Sequence, residues 1–187
     1  MQHLGIGGAV LYKKKYGRMT VSAWLNSEME QSVPILMVFS GLLLLVVGWL
    51  VRLGIGAPYR MILELGIGDM IPPVWIMALV WSFSLFAIGC AAGFVLGYRE
   101  RGCQGEKYKG VAFFLLLALL EMLWYPIFFS LGLIFLSVLL SIVILCLAVS
   151  VTACFYRVSK FSGMILLLHD VWLVYMMILN FFVLFKG

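Results

Sequence analysis

The stretch from Gly110 to Tyr156, GVAFFLLLALLEMLWYPIFFSLGLIFLSVLLSIVILCLAVSVTACFY, decides the fold. It holds one charged residue, Glu121. A membrane span needs roughly 20 apolar residues to cross about 30 Å of hydrocarbon. The stretch is too long for one span and fits two, with the break expected at Ser130-Leu131-Gly132. It therefore reads as a tight antiparallel hairpin of two spans, over about 109–130 and 133–156. Backbone in lipid must satisfy its own hydrogen bonds, which leaves helices or closed barrels. The ten-residue alternation of barrel strands is absent, so these are helices.

Outward from the hairpin the same pattern recurs. Val33 to Val51 carries no charge and is bounded by Glu30 and Arg52, with Pro34 in the first turn, where a missing N–H costs nothing. Met70 to Tyr98 is uncharged and opens on Pro72-Pro73. Phe161 to Phe185 is interrupted only by His169 and Asp170. Polar connections lie at 99–109 (RERGCQGEKYK) and 157–160 (RVSK), and residues 52–70 form a mixed loop. The reading is an all-α integral membrane bundle of five transmembrane helices, spanning about 33–52, 71–98, 109–130, 133–156 and 162–185. Residues 1–32 are a basic, interfacial segment, in which 19–31 is expected to form a short helix, and 33–187 is the transmembrane domain. No A-x-A cleavage site follows the first apolar run, so it reads as a retained span rather than a signal peptide.

Composition agrees. The 187 residues are 65% hydrophobic and 11% charged, with a mean hydropathy of +1.14. A soluble domain carries roughly a quarter charged residues, enough to cover a water-facing shell. The net charge of +5 is not a nucleic-acid footprint, because the basic residues sit at the ends of apolar runs. With five spans, the N-terminus, 99–109 and 157–160 share one side, and that side holds ten of the 13 Lys and Arg. Arg52, Arg60 and Lys186 lie opposite. The bias places the N-terminus in the cytoplasm of a bacterial-type membrane; a mitochondrial outer membrane is the eukaryotic alternative. Cys90, Cys103, Cys146 and Cys154 lack C-x-x-C spacing and read as small core hydrophobes, not a disulfide framework or zinc site. Leu-Gly-Ile-Gly at 4–7, 53–56 and 65–68 lacks the strand and helix of a phosphate cradle and reads as loop.

Polar groups inside spans are costly and are functional candidates. Glu121 in span three should face the bundle interior, protonated or paired. It is read either as a ligand contact or as an interhelical hydrogen bond. His169 and Asp170 in span five point about 100° apart and cannot face one spot. His169 could ligate a haem iron; the favoured reading is a hydrogen-bonded interior histidine. Asn180 reads as interhelical glue or a ligand contact. Gly89, Gly93 and Gly97 form a small-residue ridge for close approach, within the chain or in a homodimer. Ser137 and Ser141 add weaker polar contacts. Trp75 suits the interface belt, whereas Trp81 and Trp172 lie deeper and suit the walls of a pocket. The linear sequence contains no Ser/His/Asp, Cys/His or H-E-x-x-H arrangement, so hydrolytic chemistry is not expected. A loose sterol-type pattern runs Arg157-x3-Phe161-x4-Leu166.

Three stretches resemble the translocator protein family, also called the tryptophan-rich sensory protein or peripheral benzodiazepine receptor family. They are Pro72-Pro73-Val74-Trp75 with Val80-Trp81 and Gly89; Trp124-Tyr125-Pro126-Ile127-Phe128-Phe129; and Leu166 through Trp172 to Leu179-Asn180. The intervals between them match without a gap, and the resemblance covers about 72–180. Departures are Glu121 where the family has Asn, Leu168-His169 for Pro-Tyr, Leu79 for Pro, Leu85 for Tyr and Leu136 for Trp. The first loop keeps only Tyr59. The resemblance implies a five-helix bundle, often a homodimer, with a pocket for porphyrins and other tetrapyrroles, sterols, or benzodiazepine-type ligands. Carried over, the pocket residues are Trp81, Glu121, Trp124, Phe128, Trp172 and Met176, to which the buried polar groups His169 and Asn180 are added.

The reading is a membrane protein that binds a planar hydrophobic small molecule between spans two, three and five, with the lipid bilayer as its other partner. No cofactor is required, porphyrin or haem entering as ligand. The alternatives are a photo-oxidative, porphyrin-degrading enzyme and a small transporter or structural subunit.

Overall fold

A computed structural model describes residues 20–30, 33–55, 72–99 and 101–186. A short helix, α1 (Val21–Glu30), precedes five long ones: α2 (Pro34–Ile55), α3 (Val74–Gly97), α4 (Gln104–Phe129), α5 (Ile134–Val158) and α6 (Lys160–Lys186). All five are long and apolar enough to cross a membrane. The protein is an integral, multi-pass membrane protein of all-α architecture. The first loop, with Tyr59 and most of the Leu-Gly-Ile-Gly repeats, lies outside the described residues.

Local chemistry sets the helix ends. Thr20 Oγ1 accepts from Ala23 N at 3.3 Å and caps α1. Pro34 opens α2. The hairpin breaks where expected: α4 ends at Phe129, and Gly132 takes a φ of +63° before α5 begins. A side chain would strain that left-handed conformation. Between α5 and α6 only Ser159 intervenes, in extended conformation.

α4 starts at Gln104, five residues before the expected 109. The cause is Lys107, which is nearly fully buried and donates from Nζ to Leu96 O (2.7 Å) and Tyr98 O (3.1 Å). These are carbonyls at the C-terminal end of α3, where the helix leaves acceptors unpaired and the dipole favours a cation. The polar connection thus folds into an extra turn of helix that caps its neighbour.

The small-residue ridge is an internal packing face. α2 lies along α3, and a Cβ at Gly89 would meet Ser40 O at 2.6 Å and the Gly41 Cα at 2.8 Å. Ser40 Oγ donates to Gly89 O at 2.8 Å, so a hydrogen bond reinforces the close approach. α5 packs against α4 and α6, and α3 against α6. Ser162 Oγ donates to Ala91 O (3.0 Å), fixing α6 to α3. The core lies between α3, α4, α5 and α6, around Phe94, Leu117, Val151, Phe155 and Leu166. Large apolar side chains such as Ile35, Leu53, Phe83, Leu119 and Phe135 face outward, as a lipid environment demands.

Candidate functional site

α3 packs against α6 and touches α4 and α5, and α4 and α6 both pack against α5. Between these helices is a narrow cleft with about 50 Å³ of internal space, opening to the outside. α3 supplies Trp81, Ser84 and Leu85; α4 supplies Glu121, Trp124 and Tyr125; α5 adds Ser141 and Ile144. α6 supplies His169, Trp172, Leu173, Met176 and Asn180. From His169 to Asn180 is three helical turns, or about 16 Å of depth at 1.5 Å per residue.

Seven of the eight residues expected at the site line this cleft. Phe128 does not: it lies behind Trp124, stacked at a centroid separation of 5.2 Å. Trp124 is itself held, donating from Nε1 to Ser137 O at 3.2 Å. Trp81 stacks on Tyr125 at 5.7 Å and meets Trp49 of α2 edge-on. Arg52, one turn further along α2, rests its guanidinium over the Trp49 and Trp81 rings at 5.1 and 5.9 Å. Trp75 is well exposed at the start of α3 and is no part of the cleft. Ser137 and Ser141 bond carbonyls of their own helix.

At one end of the cleft three polar side chains from three helices form a chain. His169 Nε2 lies 2.7 Å from Glu121 Oε1, and His169 Nδ1 lies 2.6 Å from Ser84 Oγ. The histidine is 3% exposed. With Glu121 ionised, Nε2–H must donate to it, and in the neutral ring Nδ1 then accepts from the Ser84 hydroxyl. A second proton on the ring reverses the Ser84 bond. Both ring nitrogens are engaged, so iron ligation by His169 would require breaking one of these bonds. Asp170 points elsewhere, as its 100° offset demands, and accepts from Thr152 Oγ1 of α5 at 2.8 Å. Its other oxygen, Oδ1, is buried with no hydrogen-bond partner among the described residues.

The serine–histidine–carboxylate chain corrects the expectation that no such arrangement exists. Residues 84, 121 and 169 are too far apart in sequence for spacing to reveal it. Only the i, i+3 placement of Ser84 after Trp81, on the same face of α3, could have signalled it. The order of groups matches a nucleophilic triad, but acyl transfer also needs donors about 3 Å from the developing oxyanion. Ser84 sits inside an unbroken helix whose N–H groups are committed to helical bonds. Asn180 is three turns away. What the arrangement does is hold a histidine and a carboxyl within hydrogen-bonding distance in an aromatic-walled cleft.

Asn180 also lines the cleft, is 1% exposed, and its Nδ2 has no partner among the described residues. A second, shallower groove runs along the lipid-facing seam of α3 and α6, past Met77, Val80, Leu168 and Tyr175. Trp172 borders both.

No curated protein matches the chain in a sequence comparison. A family model does, over residues 35–185, and so takes in all five long helices. With that match, the five-helix bundle and the aromatic cleft described above, the chain belongs to the TspO/MBR family.

Proposed function

We propose that the cleft binds a planar hydrophobic ligand of the tetrapyrrole class. Family membership makes the chain a membrane ligand-binding protein in general terms. The finer reading rests on one observation: Trp81, Trp124, Tyr125 and Trp172 wall a cleft whose other polar lining groups, among the described residues, are Ser84, Glu121, Ser141, His169 and Asn180. Flat aromatic faces suit a flat ligand. The unpartnered Asn180 Nδ2 is a donor for an oxygen on the ligand's edge, and Glu121 an acceptor for an N–H. The asymmetry of Lys and Arg supports an N-terminus on the cytoplasmic side.

The test is titration of the purified protein with protoporphyrin, read by the porphyrin's absorbance shift. The Trp81→Ala/Trp172→Ala double variant is expected to bind at least about tenfold more weakly, since each aromatic contact contributes about 0.5–1.5 kcal/mol beyond its area. Equal affinities would remove the assignment.

A further inference from the structure

We propose that the same cleft exchanges a proton for a lipophilic monocation, such as a protonated aromatic amine or a phosphonium. The inference rests on the reading of this cleft as a ligand site and adds a second class of ligand to it.

Among the described residues lining the cleft, Glu121 is the one carboxylate, and none is a lysine or arginine. An isolated carboxylate is costly there, because the medium is apolar and its partner must be close. The partner is His169, at 2.7 Å. Histidine is the side chain whose charge is optional between about pH 5 and 8. Its ring is tethered at both nitrogens, by Ser84 and Glu121. It can therefore surrender a proton without leaving its place. When it does, the cleft holds one uncompensated negative charge under aromatic walls. That combination recognises organic cations, because ring faces attract positive charge and the carboxylate neutralises it.

Other charged and titratable groups flank the pair. On α6, Asp170 is bonded to Thr152 of α5 and is not part of the cleft lining. On α4, the Tyr125 hydroxyl is a neutral neighbour within the cleft. On α2, Arg52 lies over the Trp49 and Trp81 rings at the edge of the cleft, and its positive charge partly opposes a cation there. α3 contributes only the Ser84 hydroxyl. The exchange balances: the imidazolium of His169 loses one proton to solvent, the carboxylate of Glu121 keeps its charge, and one monocation enters. A soft, delocalised cation loses little hydration on entry, whereas a small alkali ion would lose much.

The probe is tetraphenylphosphonium, titrated into the full chain in an uncharged detergent between pH 5.5 and 8.5. Affinity is expected to rise about tenfold per pH unit while the pair holds its proton. In weak buffer, about one proton should be released per cation bound, read with an indicator dye. Glu121→Gln should bind the cation at least tenfold more weakly. His169→Gln should bind it with a changed pH dependence, because Glu121 then carries the proton of the site alone.

A pH-independent affinity in the unaltered protein, or binding without proton release, overturns the proposal. So does equal binding by a Glu121→Gln variant that elutes as a single folded species. If that variant aggregates, the two measurements on the unaltered protein decide alone. Protoporphyrin is titrated separately: cation exchange without porphyrin binding removes the planar-ligand reading and leaves this one, and the reverse removes this one.

Discussion

Nε2 of His169 on α6 and Oε1 of Glu121 on α4 lie 2.7 Å apart, with the histidine side chain 2% and the glutamate side chain 11% exposed. Each group is the other's reason for tolerating the membrane interior. Removing one should cost more than removing both. Glu121→Leu leaves a buried ring N–H without its acceptor and is expected to lower stability by about 1–3 kcal/mol. Adding His169→Leu should recover part of that loss rather than double it. Thermal unfolding in detergent of the two single variants and the double variant measures the coupling, and strictly additive losses would show the pair to be energetically idle.

The contact of α2 with α3 depends on the absence of a side chain. Gly89→Ala places a methyl 2.6 Å from Ser40 O, which is backbone and cannot swing aside. Forcing the helices apart is expected to cost about 1–3 kcal/mol. Gly105→Ala is the control, since nothing lies within 4 Å of its Cβ position. A thermal shift seen with the first and not the second is the expected result.

Lys107 acts as a cap rather than as a topology signal alone. Lys107→Met keeps the apolar stem but leaves Leu96 O and Tyr98 O without their donor. The expected loss is about 1.5–3 kcal/mol, the worth of hydrogen bonds from a charged donor. Hydrogen exchange should rise first in the last turn of α3. Uniform exchange across α3 would count against the capping role.

The Thr152–Asp170 bond ties α5 to α6 inside the hydrocarbon. Thr152→Val removes the one hydrogen bond Asp170 makes in the described residues and leaves its carboxyl entirely unpaired. A loss of about 1–3 kcal/mol is expected. Asp170→Leu in the Thr152→Val background should restore stability, because an apolar pair suits the seam better than a half-satisfied one. If Asp170→Leu instead lowers stability further, a group outside this pair holds the carboxyl.

Much of the fold was legible in the residues because the bilayer applies one dominant rule. A run of about 20 apolar residues must become a helix. Five such runs, the break before Gly132 and the sidedness of Lys and Arg follow from that rule without tertiary information. The depth of Trp81 and Trp172 and the cost of burying Glu121 also pointed to α3, α4 and α6, which line the cleft together with α5. The start of α4 was misplaced because Lys107 reads as a polar loop residue until the end of α3 comes beside it.

Which polar groups meet was decided only by packing. Ser84, Glu121 and His169 come from three helices with no shared spacing, and each alone is a lone polar residue in an apolar run. The ridge of Gly89, Gly93 and Gly97 announces a close neighbour without naming it; the structure names α2. Phe128 matches the family's pattern, yet the rotation of α4 puts it behind Trp124. The bilayer makes helices from sequence alone, because backbone hydrogen bonds are local. It leaves side-chain partners open, because lipid favours no apolar face over another, and interhelical packing and hydrogen bonds make that choice.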